Sequence, residues 1–172
     1  SLPGRVKIIC DYMEQYQADG TSTDIFDPVA SIAALWRFIA DHFDVDLKTG
    51  AVLASSGVMN PQIRFGEDLM SRVSYAMMNP GGDVEMTRAV REAIDALAAT
   101  IAAEAHVAPQ AIYEIVFVCN PVMHHLLLGI DPVELGQAPF ALATSGSLSL
   151  DARDLDLSHV NSAARVYVLP CI

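Results

Sequence analysis

A chain of 172 residues with 52% hydrophobic and 18% charged side chains can bury a substantial core, yet no window approaches the roughly 18 consecutive apolar residues of a membrane span. Its 21 acidic against 10 basic side chains give a formal net charge of −11, which repels phosphate backbones and argues against nucleic acid as a partner. Cys10, Cys119 and Cys171 are odd in number and far apart, so neither a disulfide framework nor a thiolate metal site is indicated, and a reducing cytoplasm fits. No charged segment followed by an apolar one directs secretion. The chain opens on Ser1-Leu2 and stops just after a strand-like run, which leads us to expect a piece of something longer.

In chain order, Arg5 to Cys10 reads as a short strand, Asp11 to Gln17 as helix or loop, and Ala18 to Asp24 as a loop of turn formers. Asp27-Pro28 is a helix start, because Asp accepts from free N–H groups and Pro at the first helical position forfeits no hydrogen bond. Val29, Ile32, Leu35, Trp36 and Ile39 then share one face of a helix predicted over 28–41. Phe43, Val45 and Leu47 alternate with polar residues, and Val52 and Leu53 follow Thr49-Gly50, which predicts a β-hairpin with Gly50 at positive φ. Ser55 to Gln62 reads as loop. Gly66 to Met78 reads as a helix burying Leu69, Val73, Ala76 and Met77, with Arg72 off that face, and Asn79 to Gly82 ends it.

Asp83 is placed to cap the next helix, whose Met86, Val90, Ile94, Leu97 and Ile101 recur at helical spacing while Arg88, Arg91, Glu92 and Asp95 line its other face. Ile112 to Val118 is an almost unbroken apolar run and reads as a buried strand. A helix from Pro121 to Gly129, a turn at Asp131-Pro132 and a helical turn at Val133 to Leu135 follow. From Gly136 the chain reads as serine-rich loop until a last strand at Arg165 to Leu169. Hairpin, helices and these strands make an α/β fold, a mixed sheet flanked by helices.

Two places carry candidate chemistry. With Pro121 at the first helical position, Asn120 is its N-cap at the end of the 112–118 strand, where loop backbone and helix N-termini converge in open α/β sheets. His124 and His125 lie about 100° apart on that helix. They are poor zinc geometry, which uses i and i+4, and read either as one packed and one surface histidine or as a contact to a ligand or partner. Asn60-Pro61-Gln62-Ile63-Arg64-Phe65-Gly66 combines amides, a guanidinium and a glycine just before a helix. That arrangement suits a phosphate or carboxylate; equally, Asn60 and Gln62 satisfy loop backbone while Arg64 pairs with Glu67 or Asp68. No P-loop or G-x-G-x-x-G is present, and Ser145-Gly146-Ser147 lacks the context of a nucleophile elbow. Cys119 is a thiol at a helix N-terminus, though a small buried apolar role suits it better. No residue is assigned as catalytic or as a metal ligand.

Three stretches together are distinctive: Asp46 to Ala54, then Asn60 to Asp68 with Ser71-Arg72, and Cys119-Asn120-Pro121-Val122-Met123-His124-His125-Leu126-Leu127-Leu128-Gly129 with Asp131-Pro132 and Gly136-Gln137-Ala138-Pro139-Phe140. They resemble the C-terminal domain of the ferredoxin-like reductive activators of corrinoid-dependent methyltransferases, in the sugar kinase, chaperone and actin superfamily. The resemblance implies an incomplete ribonuclease H-like or actin-like ATPase lobe over 43–172, preceded by an N-terminal segment, 1–42. It implies a whole protein that uses ATP and Mg2+, and a [2Fe-2S] domain absent from this chain, to return Co(II) corrinoid to Co(I) on a partner corrinoid protein. Asn60, Gln62, Arg64 and Asp68 would then face nucleotide or phosphate, and Asn120, Met123, His124 and His125 the partner. The family's phosphate loop, an apolar strand running into Asp-x-Gly-Thr-Thr, has its nearest counterpart at Asp19-Gly20-Thr21-Ser22-Thr23, upstream of the expected place. The alternative is a noncatalytic docking or homodimerisation module that uses the Trp36 helix and an exposed sheet edge.

Overall fold

A computed structural model describes residues 6–12, 42–46 and 52–171. Strands β1 (Val6–Tyr12), β2 (His42–Asp46), β3 (Val52–Ser56), β4 (Ile112–Cys119), β5 (Leu148–Asp151) and β6 (Arg165–Val168) form one sheet in the order β3-β2-β1-β4-β6-β5. The three central strands β1, β4 and β6 are parallel, and β2 and β5 run antiparallel to their inner neighbours. The predicted hairpin is β2-β3, paired from His42↔Ser56 to Val45↔Val52. Gly50 and the helix predicted over 28–41 lie outside the described residues.

Among the described residues three helices join the sheet: α1 (Leu69–Met78), α2 (Gly82–Glu104) and α3 (Pro121–Leu128). Every apolar position singled out on α2, from Met86 to Ile101, is buried. Its Val90, Ile94, Ala98 and Ala102, with Met123 and Leu127 of α3, press onto Ile115 and Phe117 of β4 and onto Val166 and Val168 of β6. Register explains the match, since Ile115 sits beside Val166 and Phe117 beside Val168, so one face of two strands presents a continuous apolar surface. A second, smaller core joins Val73 of α1, Met86 of α2 and Val122 and Leu126 of α3, with Phe65, Leu69, Tyr75, Ala76 and Leu135 packed around it. Among the described residues no helix is long and apolar enough to cross a membrane.

Several sequence expectations need correction. The 66–78 helix begins only at Leu69, because Pro61–Phe65 forms its own 3₁₀ turn and Asp68 accepts from the Ser71 N–H at 2.7 Å as the N-cap. Its buried face is turned toward Arg72, which is fully buried and donates from Nε to the Gly66 carbonyl at 3.1 Å, while Met77 is exposed. The 3₁₀ turn folds back beneath α1, and its closing carbonyl takes a donor from that helix. Asp83 does not cap α2. Gly81 occupies that position at φ 82 with no side-chain cap, and Asp83 and Glu85 instead place their charges in the first turn, where the helix dipole favours them. The stretch after Gly136 is not all loop: Leu148–Asp151 pairs with β6 from Leu148↔Val168 to Asp151↔Arg165. Its Leu-Ser-Leu-Asp alternation spans only four residues, within a serine-rich setting that masks a short edge strand.

Candidate functional site

The carboxyl end of β4 delivers Cys119 and Asn120 to the start of α3, beside the carboxyl end of β6, where the Leu169 N–H donates to the Phe117 carbonyl at 3.0 Å. Asn120 is the predicted N-cap: its Oδ1 accepts from the Met123 N–H at 2.9 Å, and its Nδ2 donates to Met123 Sδ at 3.0 Å. At the other end, Gly129 takes φ 77 and the Ile130 N–H returns to the His125 carbonyl at 2.8 Å. The carbonyls left over there are met from α2, by Thr87 Oγ1 on Leu126 at 2.8 Å and by Arg91 Nε on Leu127 at 3.0 Å. Both ends of this short helix are therefore fixed, and with them the placement of its two histidines.

Both histidines are buried, not one of the two as the helix geometry alone led us to expect. At His125 part of the cover comes from later in the chain, for the Ala143 N–H donates to His125 Nε2 at 3.1 Å. Since Nε2 accepts, the ring proton sits on Nδ1, which donates to the Pro121 carbonyl at 2.8 Å. His125 is thus a neutral bridge between the first turn of α3 and the overlying segment. Cys171 reinforces the same corner, its thiol 3.5 Å from the Thr144 carbonyl, and burial pushes that thiol's pKa up. His124 is different. Its two ring nitrogens have no hydrogen-bond partner among the described residues, and burial lowers its pKa and holds it neutral. A buried imidazole with nothing to bond is uncommon and calls for a reason.

The second candidate group, Asn60, Gln62, Arg64 and Asp68, lies on the 3₁₀ turn and the start of α1. Three of the four shape the loop itself. Asn60 Oδ1 accepts from the Gln62 N–H at 2.9 Å, Gln62 is buried and donates to the Met86 carbonyl at 3.0 Å, and Asp68 caps α1. The hydrogen bonds from Ser71 hold the Asp68 carboxyl below its ordinary pKa. Arg64 stacks its guanidinium 4.6 Å over the Phe65 ring and stays exposed, so it is the member of the group with positive charge at the surface. The two candidate groups are joined through the second core, in which Phe65 and Leu69 pack against the cluster of Val73, Met86, Val122 and Leu126.

One polar cluster escaped the sequence reading. Asp95, expected on the solvent face of α2, is buried and accepts from Ser158 Oγ at 2.6 Å and from the His159 N–H at 2.7 Å, with His159 Nδ1 2.7 Å from the same oxygen as the serine. Serine, histidine and aspartate suggest a nucleophilic triad, but here hydroxyl and ring nitrogen converge on one carboxylate oxygen, whereas a triad needs the serine at the far ring nitrogen. The cluster is a clasp that ties the 156–160 loop to α2. Residues 63 and 64 positions apart form it, and no local spacing announces such a contact.

Among the described residues no three His, Cys, Asp or Glu side chains group so as to hold a metal ion, and Cys119 and Cys171 stand on separate segments. These residues do not fit the ligand set of an iron–sulfur cluster. A description of the RACo middle region matches residues 43–172. The chain belongs to that family. This refines the resemblance to a C-terminal domain. Within RACo-like proteins, the chain is 30% identical over 127 residues to the corrinoid activation enzyme RamQ of Eubacterium limosum, an alignment covering 74% of this chain and 21% of RamQ. A solved structure described as a reductive activator for corrinoid, iron-sulfur protein superposes with a TM-score of 0.71 at 32% identity, over 75% of this chain and 20% of that one. The chain thus spans about a fifth of the length of these relatives, and the fold is that of the corresponding part of a reductive activator, consistent with an incomplete actin-like lobe.

Proposed function

We propose that this chain is one part of an activator that uses ATP to return Co(II) corrinoid to Co(I) on a partner corrinoid protein, with the iron–sulfur cluster on a part of the whole protein outside this chain. The observation that carries the reading is the pairing of 30% identity to a corrinoid activation enzyme with a TM-score of 0.71 to a reductive activator. In this reading the corner built from Asn120, Met123, His124 and His125 faces the corrinoid protein. Support comes from the placement of α3, whose capped start stands at the carboxyl ends of β4 and β6, where open α/β sheets bind their ligands. Arg64 supplies the exposed positive charge for a phosphate, while Asn60, Gln62 and Asp68 hold its loop in shape. The setting is cytoplasmic.

The whole protein containing this chain, mixed with its cognate Co(II) corrinoid protein, ATP, Mg2+ and a reductant, is expected to generate the Co(I) absorbance band. No band in a mixture where a known activator produces one would overturn the proposal. A chain that instead self-associates and leaves the corrinoid protein unbound would favour the docking or dimerisation module.

A further inference from the structure

Helix α1 turns an apolar face to solvent. Met70, Met77 and Met78 are 52%, 55% and 80% exposed. At about 100° per residue, Met70, Ser74, Met77 and Met78 fall within one arc of roughly 100°, next to the side on which Val73 is buried and Leu69 and Ala76 partly so. Isolated exposed apolar residues mean little, but three on one face of a ten-residue helix are a surface. Methionine is also the side chain best able to mould itself to a partner, being unbranched and polarizable.

The frame around this face is acidic. Glu67 and Asp68 stand at the start of α1. Asp83 and Glu85 open α2, with Glu85 tied to α1 by the Tyr75 hydroxyl at 3.0 Å. Glu134 lies on the 133–136 turn, whose Gly136 fits so tightly on α1 that an added Cβ would sit 2.5 Å from Val73 and 3.9 Å from the Met70 methyl. The bases on these segments are Arg64, stacked on Phe65, Arg72, which is buried, and, farther along α2, Arg88, which is exposed, and Arg91, which pairs with Asp156. An apolar strip inside a carboxylate rim is complementary to a helix with an apolar face flanked by Lys and Arg, the helix-on-groove mode of recognition.

We propose that the Met70, Met77 and Met78 face of α1 is a docking surface for a basic amphipathic helix of a partner protein. This is independent of the corrinoid reading, because it lies on α1 and involves none of the α3 residues assigned there.

The test uses the 172-residue chain with 13C-labelled methionine methyls, titrated with a short Leu/Lys peptide of helical periodicity and, in parallel, a matched Leu/Glu peptide. Saturable shifts of the Met70, Met77 and Met78 methyls with the Leu/Lys peptide are expected, with the buried Met86 and Met123 methyls still. The triple variant Met70→Gln, Met77→Gln, Met78→Gln leaves net charge unchanged and sits on exposed positions, so it should keep the helical circular dichroism and bind about tenfold more weakly or worse. The proposal is overturned if none of the three methyls moves, if the triple variant binds within about twofold of the parent, or if the Leu/Glu peptide binds as well. It is equally overturned if the three methyls shift with protein concentration alone, since the face would then cover a second copy of the chain.

Discussion

Replacing Asp95 with alanine removes the clasp between α2 and the 156–160 loop. The carboxylate accepts from the Ser158 hydroxyl at 2.6 Å and from the His159 amide at 2.7 Å. Hydrogen bonds to a charged group contribute about 1.5–3 kcal/mol each. The imidazole contact adds little, because the His159 side chain is 57% exposed and water competes for it. Two bonds at the low end give about 3 kcal/mol, and relief from burying the carboxylate returns about 1 kcal/mol, leaving a net loss of about 2 kcal/mol. For a chain of this size that lowers Tm by about 4–8 °C. Burial alone would raise the Asp95 pKa; the Ser158 hydroxyl and the His159 amide and ring together outweigh it and hold the pKa below the ordinary value. A depressed carboxylate stabilises the fold fully above its unfolded pKa and loses that contribution as pH falls through the folded one. The gap between parent and Asp95→Ala should therefore be constant from pH 7 to about pH 5 and shrink below about pH 4. Urea and thermal unfolding followed by circular dichroism measure it. A gap under about 0.5 kcal/mol at neutral pH, or one that persists unchanged in acid, would refute the reasoning.

Further outcomes follow from other contacts. Gly136→Ala places a Cβ 2.5 Å from Val73 Cγ1 and should cost about 1–3 kcal/mol in urea titrations, where an unaltered midpoint would show the 133–136 turn to be free to move. Asn120→Ala removes the cap of α3 and should cost about 1 kcal/mol, whereas Asn120→Asp, which keeps the acceptor, should retain most of it. His125→Phe keeps an aromatic ring but loses the acceptor for Ala143 and the donor to Pro121, so limited proteolysis should cut within residues 137–144 several-fold faster than in the parent while the rest of the chain resists. Phe117→Ala empties a fully buried position between α2 and the sheet and should cost about 3–5 kcal/mol by the same titration.

What could be seen in the sequence was whatever repeats locally. The four- and three-residue spacing from Met86 to Ile101 marked α2 and its buried face, the run from Ile112 marked β4, and Asn120-Pro121 marked the start of α3. Arg72, Asp95 and His124 broke the same logic: each is polar in a pattern that assigns polar residues to water. Arg72 is covered because a 3₁₀ turn folds beneath its helix, and Asp95 because a loop more than sixty residues away closes on it. His125 is covered by chain from residue 143. Such burial depends on contacts between segments distant in the chain, which no periodicity encodes. The family-specific block around Met123 to Gly129 carried the functional reading, and the same block supplies the helix on which the two cores meet.

The position of β1 has a kinetic consequence. Strand β1 comes from residues 6–12 yet pairs on one side with β2 and on the other with residues 112–119, so the middle of the sheet waits for a partner about a hundred residues away. High contact order of this kind slows folding and leaves strand edges unsatisfied during synthesis. A polypeptide cut to the matched span of 43–172 would be missing the strand between β2 and β4, exposing a backbone edge on each. The first residues are thus a folding requirement for the family portion, to be retained whenever that portion is studied alone.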